Sequence, residues 1–300
     1  MLNKILCVAI LGVFAGLLPA GAQTTPATPV AQARIKGTIV AARVVGHVDA
    51  VSNTDGQTRT LHDGDKIFEQ TTIVTAAGSS AILGFSNGAT VNVAAETTLN
   101  IETFQQDPFA DDVNLSKIKR EPGTSTTRLN LTKGELVGKV VHLNIDRGSE
   151  FTVQTPVGAA GIRGTTFQIT FNPSGPDGRS FFTITTQDGT VVFTGVTVNP
   201  VNVPAGKQVV VTFDSTNGVP TTPVAAQDTP PAGAAAIPAA SQLIATAVAN
   251  TTIGGGSGGP TGTGTGGSTT NPSTTPSTTP SNTPPPPLVP AQPLTPGAGT

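Results

Sequence analysis

Residues 151–171, Phe151-Thr-Val-Gln-Thr-Pro156-Val-Gly158-Ala-Ala-Gly161-Ile-Arg163-Gly164-Thr-Thr-Phe167-Gln-Ile-Thr-Phe171, decide the fold. Apolar and polar residues alternate over Phe151–Thr155 and again over Thr165–Phe171. A period of two gives each strand one buried and one wet face. Between them Pro156 to Gly164 reads as a loop, because Pro156 lacks a backbone donor and Gly158, Gly161 and Gly164 admit angles closed to other residues. Arg163 is the one charge in the segment. Two readings of it stand side by side. A displayed guanidinium would bind a carboxylate or a partner's backbone. An inward guanidinium would use its five donors on carbonyls that an irregular loop leaves unpaired. The inward reading is the one adopted, and it predicts that Arg163→Ala destabilises the fold.

The same patterning runs outward on both sides. Candidate strands lie at Thr38–Val45, Val48–Ser52, Thr58–Leu61, Thr72–Thr75, Ser80–Phe85, Thr90–Ala94, Thr98–Glu102, Arg128–Thr132 and Leu136–Ile145. After the opening stretch come Phe181–Thr186, Thr190–Thr194 and Gln208–Phe213. Asp55-Gly56, Asp63-Gly64, Asn87-Gly88, Asp177-Gly178 and Asp188-Gly189 punctuate them as tight-turn signals. Many short strands with frequent turns predict an all-β domain: a sandwich, a barrel or a solenoid. Residues 105–125, with Pro108, Pro122 and much of the local charge, read as an exposed loop.

Composition sets the boundaries. The chain has twelve Phe, no Trp and no Tyr, and every Phe lies at or before Phe213. From Thr216 onward Asp228 is the sole charge. Residues 216–300, rich in Pro, Gly, Thr and Ser, therefore read as a disordered low-complexity tail that cannot offset its chain entropy by burial. Some 80 residues of such coil have an end-to-end distance on the order of 50 Å, which suits a spacer. Its best helix candidate is 239–249, bounded by Pro238 and marginal in isolation. At the other end Lys4, the apolar run Ile5–Leu18 and Ala20-Gly21-Ala22 read as a signal peptide over residues 1–22, cleaved before Gln23, with a polar leader at 23–33. The β domain then spans 34–215. Cys7 lies within the signal peptide, so the mature chain is expected to have neither disulfides nor thiolate metal sites.

Several chemistries are set aside. Sixteen basic and eighteen acidic residues leave a net charge of −2, with no basic, aromatic-interleaved stripe for nucleic acid. Gly84-Phe-Ser86-Asn-Gly88 matches the nucleophile-elbow pattern, but the alternating strand that follows makes it a hairpin tip. A serine hydrolase built around Ser86 is the weakest alternative. His47, His62 and His142 form no ligand spacing, and Asp63 with Asp65 is too sparse for calcium. No catalytic residue, metal site or cofactor is assigned.

The spaced elements together resemble the FecR-domain family. They are Gly46-His-Val48, Leu61-His-Asp63-Gly64-Asp65, Ile73-Val-Thr75, Ser80–Gly88, Gly134-Glu-Leu136-Val-Gly-Lys-Val140, and most diagnostically Thr155-Pro156-x-Gly158 with Arg163-Gly164-Thr165-x-Phe167. The resemblance covers about residues 43–171. It implies a twisted β-solenoid-like exported domain without catalytic function, in the periplasm or at the cell surface. It also implies that Thr155, Pro156, Gly158, Arg163, Gly164, Thr165 and Phe167 form a structural or interaction motif. In the family's regulators such a domain senses an outer-membrane transporter and signals through a membrane helix to a cytoplasmic anti-sigma segment. Here the leader at 1–22 leaves no such segment before it, so a stand-alone exported form is expected. The function expected is protein–protein interaction, sensing or scaffolding with another envelope protein, by addition of a strand to an exposed sheet edge. No membrane span remains after signal cleavage. The alternative of a different class is a module binding cell-envelope glycans, with Phe in place of the missing Trp and Tyr.

Overall fold

Alternation and turn chemistry are realised strand by strand in a computed structural model, which describes residues 33–109, 112–175, 178–195, 199–214, 220 and 224–254. In chain order the strands are β1 (Ile35–Lys36), β2 (Ile39–Val45), β3 (Val48–Ser52), β4 (Thr58–Thr60), β5 (Lys66–Ile67), β6 (Thr71–Thr75), β7 (Ser80–Phe85), β8 (Thr90–Val93), β9 (Thr98–Gln106) and β10 (Val113–Asn114). They continue as β11 (Ser125–Lys139), β12 (Glu150–Thr155), β13 (Gly158–Ile162), β14 (Thr166–Asn172), β15 (Arg179–Asp188), β16 (Thr190–Gly195), β17 (Val201–Pro204), β18 (Lys207–Asp214), β19 (Gln227–Asp228) and β20 (Thr252–Ile253). One α-helix, α1 (Pro231–Val248), precedes β20. The glycines of all five tight-turn signals, at 56, 64, 88, 178 and 189, have positive φ.

Two sheets account for the β domain. The first runs β4-β3-β6-β9-β11-β12-β13-β16-β17, with β1 continuing along the end of β9. The second runs β5-β2-β7-β8-β11-β14-β15-β18-β19. All these pairings are antiparallel except β11–β12. Phenylalanines from the two inner faces meet: Phe85 of β7 lies edge-on to Phe104 of β9 at 5.1 Å, and Phe182 of β15 is 5.0 Å from Phe193 of β16. One continuous core fills the space between the sheets. The established description is therefore an all-β domain of two layers, each taking up its main strands in chain order.

β11 belongs to both layers. Ser125–Lys133 pairs with β9 in the first sheet, and Gly134–Lys139 pairs with β14 in the second. The hinge is Gly134, at φ 98°, where a Cβ would sit 2.5 Å from the Cα of Thr97. Only glycine gives the chain this turn. The separate strands expected at Arg128–Thr132 and Leu136–Ile145 are thus one bent strand that ends at Lys139.

Two expectations need correction. Residues 105–125 are not simply an exposed loop: Gln106 ends β9, while Leu115, Ile118, Glu121 and Thr124 are buried. The disordered tail does not begin at 216 either. α1 starts at Pro231, includes Pro238, and buries Ile237, Ile244 and Val248 along one face. Ile244 and Val248 join Leu115, Ile118 and Ile253 against Val40 and Ile82, which point out of the second sheet. Packing of a face, rather than propensity, stabilises most protein helices. At 1.5 Å per residue α1 is about 27 Å long, close to the ~24 Å width of six strands. It lies against β2, β7, β8, β11, β14 and β15. The signal-peptide reading at 1–22, most of the polar leader, and the tail at 255–300 lie outside the described residues.

Candidate functional site

The motif residues fall into three groups. Thr155 closes the β12–β13 turn, its Oγ1 donating to the carbonyl of Gly158 at 2.8 Å, with Pro156 exposed at the tip. Gly158 is required there, since a Cβ would approach the Thr194 carbonyl to 2.5 Å. Gly164, Thr165 and Phe167 lead into β14: Thr165 accepts from the Val140 amide at 2.9 Å, and Phe167 is fully buried with its ring over Gly138. These six position the fold. Arg163 is the exception.

Arg163 is exposed, and among the described residues it makes no hydrogen bond or ion pair. The inward reading fails for a clear reason. The expected loop Pro156–Gly164 is largely strand, and β13 pairs with β12 on one side and β16 on the other. The carbonyls the guanidinium was to satisfy are already paired in the ladder. Sequence reasoning missed β13 because Gly158-Ala-Ala-Gly161-Ile looks like loop composition. The available signal was the alternation within it: Ala160 and Ile162 are buried, while Ala159 and Gly161 face outward.

That outward pair makes the site. Across the outer face, Thr152–Gly161–Val192 form one row and Gln154–Ala159–Thr194 the next. A glycine and an alanine lie between taller neighbours in both rows. The result is a groove of about 380 Å3 along β13, with Ile145, Ser149 and Glu150 at its margin and Arg163 at its end. Ile145 is 39% exposed, one of few large apolar side chains so open. Glu150 is engaged at the rim, accepting from Thr152 Oγ1 at 2.8 Å and lying 3.9 Å from the Arg128 guanidinium.

Other candidates resolve as structure. Ser86 is fully buried, donates to Gln106 Oε1 at 2.8 Å and accepts from the Thr38 amide at 3.1 Å. It lies at the β7–β8 turn, and its hydroxyl is committed. Glu121, 4% exposed, accepts from the Ser125 hydroxyl and, at 2.8 Å, from the Asn144 amide, tying the 107–124 excursion to β11. Asp107 accepts from the Thr124 hydroxyl at 2.7 Å and the Thr124 amide at 2.8 Å. Partial burial pushes its carboxyl up, but those hydrogen bonds, with Arg34 and Arg147, outweigh burial and hold it below the usual range. Among the described residues no three His, Cys, Asp or Glu come together in a metal-binding group. No described helix is long and apolar enough to cross a membrane.

The edges of the sheets bear on partner binding. The first sheet ends on β4 and β17, of three and four residues, and the second on β5 and β19, of two each. Edges this short are the usual protection against pairing with another chain. β5 and β19 each pair with only two residues of the longer β2 and β18, and the outer face of the first sheet is a further surface beside these edges.

Comparison with known proteins agrees with the motif. No curated protein matches the sequence. Two crystal structures of a candidate anti-sigma factor from Parabacteroides distasonis ATCC 8503 align at 15% identity, with TM-scores of 0.36 and 0.37. Each alignment covers 52% of this chain and 59% of the other. The FecR protein family matches residues 71–191, from the first residue of β6 to the second of β16. Most of the motif elements quoted above lie in that span, the groove strands β12 and β13 among them. Residues 71–191 are thus similar to the FecR protein family.

Proposed function

We propose that this protein is a non-enzymatic interaction module that senses or scaffolds another protein at the cell envelope, through the outer face of its first sheet. The observation that carries the reading is the groove over β13, a concave surface ending in an unpaired arginine within the family-matched segment. The outer face of the second sheet is covered by α1, which leaves the first sheet as the open one. Export to the periplasm or cell surface is part of the proposal and rests on the leader-like pattern of Lys4, Ile5–Leu18 and Ala20-Gly21-Ala22. Addition of strands in chain order supports a solenoid-like reading of the stack.

A photocrosslinking residue at Thr194, in the groove, tests the reading against one at Thr246, on α1. In the native envelope, Thr194 is expected to give a discrete protein adduct that Arg163→Glu removes, and Thr246 is not. The same adducts from both positions, or a discrete adduct with a glycan instead of a protein, would overturn the proposal.

A further inference from the structure

Gly161 is a glycine that the fold does not need. Its φ is not positive, and a Cβ built on it would find only the Val192 carbonyl at 3.7 Å, an ordinary contact. Gly158, three residues earlier, is the opposite case, blocked by backbone on the neighbouring strand. A glycine inside a strand weakens it relative to alanine, and it marks places where something approaches the backbone closely. Nothing in the described structure approaches Gly161 from outside. Its cross-strand neighbours are Thr152 and Val192, with no aromatic ring laid over the bare backbone.

From this position we infer the chemistry of the partner, taking the proposed interaction face as given. The groove accepts a protein segment in which an aromatic side chain covers Gly161 and an adjacent carboxylate pairs with Arg163. Aromatic rings covering strand glycines are an established way of stabilising sheets from the neighbouring strand, and here the ring would come from outside. Val192 and the exposed Ile145 give the ring apolar walls. Arg163 supplies an uncompensated planar cation suited to a carboxylate. The rim anion, Glu150, has its contacts with Arg128 and Thr152 and none with Arg163, which stays open to a partner's carboxylate. At about 380 Å3 the groove matches one large side chain and its neighbour, not a folded domain.

The test uses the full chain labelled with 15N and three blocked peptides: Gly-Ser-Phe-Glu-Gly-Ser, its Glu→Gln form and its Phe→Ala form. Saturable amide shifts at Gly161, Arg163 and Val192 are expected with the first. The Glu→Gln peptide should bind about fivefold more weakly, the scale of an exposed ion pair. Arg163→Ala should abolish that difference while leaving the melting temperature unchanged. Gly161→Leu should fill the groove and abolish the shifts, and Gly161→Ala, which adds only the tolerated Cβ, serves as the folded intermediate. Equal affinity for the Glu and Gln peptides, undiminished binding to Gly161→Leu, or saturation by N-acetylglucosamine oligomers in place of the peptides would overturn the inference. A groove-dependent protein adduct at Thr194 without peptide binding would refute this partner chemistry alone. Loss of the adduct's dependence on the groove would refute the interaction face itself.

Discussion

Replacing Ile244 with alanine separates two incompatible accounts of the last third of the chain. If residues from 216 onward were an unstructured tail, the substitution would change nothing. In the structure Ile244 is 2% exposed and packs with Val40, Ile82, Leu115, Ile118, Val248 and Ile253. Three carbons are lost, about 2.4 kcal/mol of transfer free energy at ~0.8 kcal/mol each. The cavity left behind raises the usual range for such a change to about 2–5 kcal/mol. For a domain of this size each kcal/mol lowers Tm by about 2–4 °C, so a fall of roughly 5–15 °C is expected. A second outcome is physically distinct: α1 could undock locally, capping the global loss at its own docking free energy. Thermolysin then reads the event, because α1 has no lysine or arginine for trypsin but offers Leu243 and neighbouring apolar residues. Wild-type Tm together with wild-type cleavage of α1 would refute the packing argument.

Three further outcomes follow from other parts of the molecule. Gly134→Ala places a Cβ 2.2 Å from Thr97 Oγ1 at a positive φ, so it should lower stability by about 2–4 kcal/mol in urea unfolding; a loss below 1 kcal/mol would refute the hinge. Asp107, whose folded-state carboxyl is held low, stabilises above its unfolded pKa, and that contribution is lost as pH falls through the lower folded value. The stability gap between wild type and Asp107→Asn should therefore be constant near neutrality and shrink below about pH 4, where a gap that widens would contradict the assignment. N-terminal sequencing of protein recovered from the envelope should begin at Gln23; an intact residue 1 would refute cleavage of the leader.

Strand positions were legible where one inner face demands period two, and Val48–Ser52 coincides with an observed strand. Loop composition concealed β13, since a strand whose outward positions carry no bulk looks like a turn. The covered outer face of the second sheet had a signal that alternation arguments pass over. Ala81-Ile-Leu-Gly-Phe85 is apolar at every position, as strands buried on both sides are. Val40 beside Ile39 says the same of β2. What covers them could not be read locally, because α1 has weak intrinsic helix signals and gains its order from contacts some 125 to 210 positions away in sequence, an effect of tertiary packing. The groove was illegible for a related reason: it is a relation between Gly161 and the neighbours chosen by register. Arg163 was visible from the start, but its direction depended on whether its surrounding carbonyls were paired.

The latch formed by α1 also has a consequence in time. Most strands pair with partners only a few elements earlier, so a chain emerging N-terminus first can lay down its two layers as it is made. The outer surface of the second sheet is different. Val40 and Ile82 wait for Ile244, Val248 and Ile253, which arrive near the end of the described chain. Throughout synthesis the growing stack therefore presents a sticky apolar stripe until α1 emerges and seals it.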